Sequence, residues 1–165
     1  MHDVSGVAFN SFVNVVAEDR DKVIWIGTER GLFRLDKKTG MISTTGCEQV
    51  GDCNISVIIC DTGNGIWVGS DKGLFRKNAS EHDFRPVTMR NADGKPVTDI
   101  TSVVKDANCS LWIASYGSGL LRYDLREERT YTYDDEILRH AHVVFCDAGG
   151  NVWAVSYTHL TLPTN

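Results

Sequence analysis

Short apolar runs alternate with polar turn residues along the whole chain, and no run keeps a helical period. Four of these runs are rich in β-branched residues and end shortly before an aspartate, at 13–16, 55–59, 100–104 and 141–145. Turn residues follow each aspartate, and a second apolar run then begins around a tryptophan. Short runs of this kind, bounded by Asp, Asn and Gly, are typical of buried strands joined by hairpins. The pattern therefore predicts an all-β chain of short antiparallel strands.

All four tryptophans of the chain occupy the same place in a repeated phrase. They lie 42, 45 and 41 residues apart, and an aspartate stands six positions before each of them. The pairs are Asp19 with Trp25, Asp61 with Trp67, Asp106 with Trp112, and Asp147 with Trp153. A glycine turn and a leucine-led run follow in the first three copies, and weaker runs at 41–45, 84–89 and 130–133 complete a set of four strands. Four short strands repeated every ~40–50 residues indicate the blades of a β-propeller.

The predicted fold is therefore all-β, a partial β-propeller of about four Trp-anchored repeats of four-stranded antiparallel blades, the last one truncated. We expect a lead-in at 1–11 and a propeller region at 12–154. Its repeats are placed at about 12–53, 54–97 and 98–139, with a partial repeat at 140–154. Closed propellers typically have about four to eight blades, so a chain of 165 residues is expected to be a piece of a longer array.

The final segment, 155–165, departs from the repeated phrase. The phrase requires a small residue, a glycine turn and a leucine-led strand after the fourth tryptophan, whereas the chain continues from Val155 to Asn165 without a glycine. The peptide resembles the translation of a sequencing-library adapter. We therefore predict that it is a non-native tail and exclude it from functional reasoning.

The repeated phrase resembles that of two-component regulator propeller repeats. It stands here at 24–36, at 66–76 and, with one extra residue before Gly119, at 111–124. The resemblance covers about residues 12–155 and implies the periplasmic sensor region of a hybrid two-component system histidine kinase. It also implies an oligosaccharide ligand released from a glycan, a homodimeric full-length parent, and no catalysis by this segment. A fragment of an enzymatic propeller, such as a polysaccharide lyase or glycosidase, and a structural protein-interaction platform remain as alternatives.

Ligand contacts are expected where the repeats differ, because loops on a rigid scaffold are the usual carriers of binding. The turn after the second strand varies most, and we single out Arg30, Lys72 and Tyr116 there, together with His140 before the last long apolar run. Cationic and tyrosine side chains near one rim suit a sugar or a uronate carboxylate. His140 and His142 alternate on a predicted strand, but two histidines without a third ligand are a weak zinc signal. No metal and no cofactor are predicted.

The repeated aspartates and tryptophans are predicted to be structural anchors. A carboxylate that precedes a Gly/Asn turn usually accepts the amides of that turn. One carboxylate per blade also leaves the four groups too far apart to act as an acid–base pair. No catalytic residue is therefore proposed from the sequence.

The net charge and the length of the apolar runs exclude two classes of partner. The net charge is −5 with both signs interspersed, which disfavours nucleic acid as a partner. No apolar run approaches the length of a membrane span, so no membrane contact by this segment is predicted.

Of the five cysteines, Cys47 and Cys53 flank a short segment and could close a disulfide in an oxidising compartment.

Overall fold

The computed structural model describes residues 11–44, 46–63, 65–133, 135–156 and 160–164, the last of these as backbone only. Within these ranges fifteen strands form four antiparallel sheets, and neighbouring strands of each sheet are consecutive in sequence. Most of the predicted lead-in, and residues 157–159 and 165 of the predicted tail, lie outside the described residues.

Each sheet corresponds to one Trp-anchored repeat. The first sheet contains β1 (Val13–Glu18), β2 (Val23–Thr28), β3 (Gly31–Asp36) and β4 (Ile42–Ser43). The second contains β5 (Ile55–Cys60), β6 (Ile66–Ser70), β7 (Gly73–Lys77) and β8 (Arg85–Val87). The third contains β9 (Ile100–Lys105), β10 (Ser110–Ser115), β11 (Gly119–Asp124) and β12 (Arg129–Tyr133). The fourth contains β13 (Ala141–Cys146), β14 (Val152–Ser156) and β15 (Leu160–Thr164). The predicted fold class, a partial propeller of four-stranded antiparallel blades with an incomplete last blade, is confirmed.

The chain divides into two compact units. The first unit comprises Met1–Val68 and Phe75–Pro86, and the second comprises Gly69–Leu74 and Val87–Asn165. In the first unit, the core joins Trp25 and Leu32 of one blade to Ile55, Ile58 and Phe84 of the next. Complete burial of an aliphatic side chain of this size contributes about 1.5–3 kcal/mol relative to exposure. The cohesion of this unit therefore comes from contacts between successive sheets.

The second unit has a core of the same kind. Trp112, Ala114 and Leu120 of the third blade pack against Ala141 and Val144 of the fourth. Leu138 closes this core from a short 3-10 turn, Leu138–His140, which leads into β13. Both cores thus use the tryptophan strand of one blade and the first strand of the blade that follows.

A hydrogen bond joins the repeated aspartate to the repeated tryptophan in three blades. The indole Nε1–H donates to the carboxylate Oδ2 over 2.8 Å in Asp19–Trp25, 2.9 Å in Asp106–Trp112 and 2.9 Å in Asp147–Trp153. The remaining oxygen accepts amides of the turn, as Asp106 Oδ1 does from Asn108 and Ser110 at 2.8 Å each. The aspartate therefore closes the hairpin and orients the indole at the same time.

The second blade departs from this arrangement. Among the described residues, the indole N–H of Trp67 has no hydrogen-bond partner although the side chain is 2% exposed. The Arg76 guanidinium instead lies 4.9 Å from the Trp67 ring centroid, which is a cation–π geometry. Asp61 still accepts the amide of Gly63 at 2.6 Å.

A glycine with positive φ opens the third strand of each complete blade. Gly31, Gly73 and Gly119 have φ values of 112°, 119° and 71°. A Cβ on Gly31 would lie 2.4 Å from the carbonyl oxygen of Gly51, and one on Gly119 would lie 2.8 Å from that of Leu138. Only glycine satisfies both the backbone conformation and the close approach of the loop that leads to the next blade.

Cys47 and Cys53 do not form the disulfide that their spacing allows. Both side chains are buried and are present as thiols. Burial raises the pKa of the Cys47 thiol to about 12, which keeps it protonated at neutral pH. These two residues therefore act as small apolar members of the first core.

Candidate functional site

The turn after the second strand is tight in the first two blades. Thr28 Oγ1 donates to the carbonyl of the glycine three residues later at 2.9 Å, and Ser70 Oγ does the same at 3.0 Å. Each hydroxyl also accepts the amide N–H two residues on, from Arg30 at 3.0 Å and from Lys72 at 3.2 Å. One buried hydroxyl therefore bonds to both sides of the turn and closes it.

The same turn is longer and open in the third blade. Ser115 occupies the position of Thr28 and Ser70, but its hydroxyl donates to the carbonyl of Thr98 at 2.7 Å. The amide of Tyr116 donates to the carbonyl of Asp99 at 2.9 Å, and the Tyr116 side chain is 78% exposed. Gly117 adopts a φ of 87°, which adds a second left-handed residue to this turn. The hydroxyl that closes the tight turns is thus bonded to the preceding connection in the third blade.

A cleft of about 490 Å³ lies beside this loop, within the second unit. Its volume falls within the range of ~300–1,000 Å³ that is typical of small-ligand sites. Four chain segments line it: the turn at 91–93, the loop at 115–118, the end of β12 at 132–133, and the segment 139–142. The cleft therefore lies where the lengthened turn, two other segments and the end of β12 come together.

Two tyrosines give the cleft an aromatic side. The Tyr133 ring lies 5.3 Å from the Trp112 ring, centroid to centroid, with an interplanar angle of 31°. Tyr133 is therefore held by the core, whereas Tyr116 projects from the exposed loop. A tyrosine offers an apolar ring face and a hydroxyl that donates and accepts hydrogen bonds.

Polar and charged groups form the rest of the wall. Asn91 Oδ1 accepts the amides of Asp93 and Lys95 at 3.1 and 2.9 Å, which fixes the 91–95 turn. The facing segment contributes Arg139, His140 and His142. One guanidinium, two imidazoles and one carboxylate thus line a concavity that also offers aromatic faces.

The structure separates the four ligand-binding residues singled out from the sequence. Tyr116 and His140 line the cleft, and both are exposed. Lys72 and Arg30 lie exposed on their tight turns and do not line it. We expected His140 and His142 to lie on one strand, and this expectation was wrong. His140 is the last residue of the 3-10 turn that precedes β13, and only His142 lies on the strand. The two histidines nevertheless line the same cleft.

Sequence reasoning missed Tyr133, Arg139 and Asn91 as members of the cleft. Tyr133 was assigned only to a weak fourth strand, and the other two stand in connections with no repeated phrase. The extra residue before Gly119 was the one sequence signal that pointed to this place. Its neighbours could not be inferred, because they come from segments up to about fifty residues apart in the sequence.

A second, smaller cleft lies in the first unit. It measures about 120 Å³ and is lined by Asp19, Asp21, Arg34 and Lys77 among others. Its size suits a few water molecules rather than a sugar ring.

No group of three His, Cys, Asp or Glu side chains within the described ranges is arranged to hold a metal ion. In the part of the chain that the structure describes, no helix has the length and apolar character needed to cross a membrane.

The fold defines a β-propeller segment, and solved structures of this class resemble it. A catalytically inactive virginiamycin B lyase from Staphylococcus aureus aligns with a TM-score of 0.69 at 16% identity over 93% of this chain and 51% of its own. A streptogramin B lyase aligns with a TM-score of 0.68 at 12% identity over 88% and 48%. An auxiliary nutrient binding protein from Bacteroides thetaiotaomicron aligns with a TM-score of 0.67 at 12% identity over 92% and 41%. At these identities the likeness is one of fold.

Residues 8–30 match the sequence model of the family described as two component regulator propeller. The resemblance predicted from the repeated phrase is therefore confirmed for the first repeat. The comparison with curated proteins gives no match. The chain spans about half the length of the solved virginiamycin B and streptogramin B lyases that it matches.

Proposed function

We propose that this chain is the ligand-sensing propeller segment of a two-component signal transduction sensor, and that the cleft beside Tyr116 binds a glycan fragment. The observation that carries the proposal is the cleft itself, which lies where the third repeat departs from the tight turn of the other two. The family match of the first repeat supports the sensing role.

The cleft wall suits an oligosaccharide. The apolar faces of sugar rings pack against tyrosine rings, and Tyr116 and Tyr133 provide two of them. Asn91, Asp93 and the histidines provide the donors and acceptors that sugar hydroxyls require. Arg139 adds a guanidinium that pairs with a uronate carboxylate when the sugar carries one. The volume accommodates a short oligosaccharide rather than a polymer.

In this role the segment lies outside the cytoplasm, in the periplasm, as part of a homodimeric parent with a histidine kinase. A ligand acts by binding one arrangement of the sensor better than another, so that the population shifts toward the bound form. The segment itself performs no chemistry. Ligand binding in the cleft supplies the differential affinity, and the parent converts it into phosphorylation.

The proposal is tested by titrating the purified chain with a panel of neutral and uronate-containing oligosaccharides, using calorimetry and ligand-observed NMR. We expect one class of ligand to bind and Tyr116→Ala to weaken it at least about tenfold, because one stacked ring and its contacts contribute on the order of 1.4 kcal/mol. Arg30→Ala and Lys72→Ala are matched controls, since both residues are exposed on equivalent turns outside the cleft. Weaker binding in the controls but not in Tyr116→Ala would place the ligand elsewhere.

The alternative of an enzymatic propeller makes a different prediction. If the cleft were a lyase or glycosidase site, incubation with the bound oligosaccharide would yield shorter products, and Arg139→Ala or His142→Ala would abolish them. Unchanged ligand after prolonged incubation supports a sensor. A structural platform would show no small-ligand response in either assay.

A further inference from the structure

One side of the cleft is a single short segment that carries three basic side chains. Arg139, His140 and His142 all line the cleft and stand close together in the sequence. The turn on the other side contributes one carboxylate, that of Asp93. Basic groups are therefore concentrated on one segment, residues 139–142, which we call the basic wall.

The backbone of the basic wall is fixed by the core of the second unit. Leu138 and Ala141 are buried in that core, whereas Arg139 and His140 between them are exposed. The turn of the third blade also packs closely here, since a Cβ on Gly119 would lie 2.8 Å from the Cα of Arg139. The basic side chains thus project from an anchored backbone, which lowers the ordering cost of binding a ligand.

The basic wall lies between two blades that the chain contains. It follows β12 of the third blade and leads into β13 of the fourth. The amide of Arg139 donates to the carbonyl of Asp135 at 2.9 Å, and Thr101 Oγ1 of the third blade donates to the carbonyl of His142 at 2.7 Å. Both ends of the basic wall are therefore held by hydrogen bonds as well as by the core.

The two imidazoles make the charge of the cleft depend on pH. Arg139 and Asp93 supply one positive and one negative charge near neutral pH, so the lining carries no excess charge while both imidazoles are neutral. An imidazole ordinarily gains a proton as the pH falls from about 8 to about 5. Protonation of His140 and His142 therefore gives the lining an excess of positive charge, and this charge lies on the basic wall.

The other titratable groups around the basic wall do not offset this change. Tyr116 and Tyr133 line the cleft, and a phenol is ordinarily neutral at these pH values. Three acids stand in the neighbouring segments, Asp99, Asp135 and Glu136, and none of them lines the cleft. The Asp99 carboxylate accepts the hydroxyl of the preceding threonine at 2.8 Å, and that of Asp135 accepts the amide two residues on at 2.9 Å.

We propose that the cleft binds an acidic oligosaccharide, with a uronate carboxylate seated on the basic wall, and that protonation of His140 and His142 strengthens this binding. This assignment rests on the proposed function of the cleft and specifies its ligand and its regulation. A guanidinium binds a carboxylate through two parallel hydrogen bonds, and protonated imidazoles add further charge-assisted donors. A sugar carboxylate stays ionised above about pH 5. A neutral sugar gains nothing from the added charge, so mildly acidic conditions favour the uronate.

Calorimetric titration of the whole chain at about pH 5.5, 6.5 and 7.5 tests the assignment. The probes are trimers of galacturonic, glucuronic and mannuronic acid, each compared with the trimer of the corresponding neutral sugar. We expect at least one uronate to bind about tenfold more tightly than its neutral counterpart at the lowest pH, and at least about threefold more weakly at the highest pH than at the lowest. Its binding should also take up protons, which titration in buffers of different ionisation enthalpy measures.

Variants of the basic wall separate the guanidinium from the imidazoles. Arg139→Gln should weaken uronate binding at least about tenfold at every pH and leave the binding of neutral trimers within about twofold. The double variant His140→Asn with His142→Asn should abolish the proton uptake and flatten the pH dependence. Arg30→Gln and His82→Asn are matched controls, because both residues are exposed and neither lines the cleft. Circular dichroism and thermal melts establish that each variant is folded.

The acidic-ligand assignment is wrong if no uronate binds more tightly than its neutral counterpart, if the pH dependence survives in the double histidine variant, or if Arg139→Gln weakens acidic and neutral trimers alike. In each of these cases, a neutral sugar that still binds and that Tyr116→Ala weakens leaves the proposed function of the cleft standing. Absence of binding by every sugar, acidic or neutral, overturns both.

Discussion

The tight turns of the first two blades and the longer turn of the third differ by one residue, and the longer turn forms a wall of the cleft whereas the tight turns do not. In the tight turns, the hydroxyl of Thr28 or Ser70 bonds to the turn on both of its sides. In the open turn, the hydroxyl of Ser115 bonds instead to Thr98, and the freed loop forms a wall of the cleft. The comparison teaches that the repeat supplies the scaffold and that its one insertion supplies the candidate site.

Both the tight turns and the open turn end in a glycine. We expect replacement of this glycine to lower the stability of the chain more than any other variant described below. Gly119→Ala places a Cβ 2.8 Å from the Leu138 carbonyl at a φ of 71°, and Gly31→Ala places one 2.4 Å from the Gly51 carbonyl. We expect each to lower the free energy of unfolding by ~1–3 kcal/mol or more, from backbone strain and displaced loops. Urea denaturation measures this loss in the free energy of unfolding. Gly117→Ala is the control, because a Cβ there meets nothing within 4 Å, so its loss should be clearly smaller.

Removal of the buried hydroxyl distinguishes the tight turns from the open one. Thr28→Val keeps the shape of the side chain but leaves the Gly31 carbonyl and the Arg30 amide without this partner. We expect a loss of about 1–2 kcal/mol in the free energy of unfolding. Thr28→Ser keeps the hydroxyl, as the second blade does naturally with Ser70, and it should avoid most of that loss. Equal destabilisation by the two variants would show that the methyl group rather than the hydroxyl matters.

Deletion of Ser118 should convert the open turn into a tight one. The shortened sequence from Ser115 to Gly119 then has the length of the segment from Ser70 to Gly73. We expect oligosaccharide binding to be lost, while the free energy of unfolding changes by less than ~1 kcal/mol, because short changes of loop length cost little. Ser118→Ala keeps the length of the loop and removes only one hydroxyl from the wall of the cleft, so it is the control and should retain most of the binding. Retained binding by the deletion variant would contradict the role of the longer turn.

The smallest expected effect is on stability at acidic pH, and it comes from the repeated aspartate of the fourth blade. Hydrogen bonds from the Asn151 side chain, the Trp153 indole and the turn amides lower the pKa of Asp147 to about 2. An unfolded aspartate has a pKa of ~3.9, so the unfolded chain binds the proton more readily. The contribution of this carboxylate to stability is therefore present above about pH 4 and is lost as the pH falls toward 2.

Thermal melts across this pH window test the assignment. Asp147→Asn should show a flatter decline of melting temperature between pH 4 and 2, because it has no proton to gain there. Ala148→Ser changes the same turn without altering a titratable group and should decline as the unmodified chain does. A decline in Asp147→Asn that matches the unmodified chain would assign the acid dependence to other carboxylates.

The sequence alone determined the fold class. Trp25, Trp67, Trp112 and Trp153 recur in register with their aspartates because every blade needs the same hairpin and the same packing surface. Strand periodicity and turn chemistry are local properties, so they can be read without knowing which residues meet in space. The lengthened third turn was visible for the same reason.

Only the tertiary structure decided the site. Tyr133, Arg139 and Asn91 reach the cleft from connections and strand ends whose positions depend on how the third and fourth blades pack. It likewise showed that Arg30 and Lys72 lie on tight turns outside the cleft. Local patterns state which residues a blade contains, whereas the packing of sheets decides which of them meet each other and which meet water.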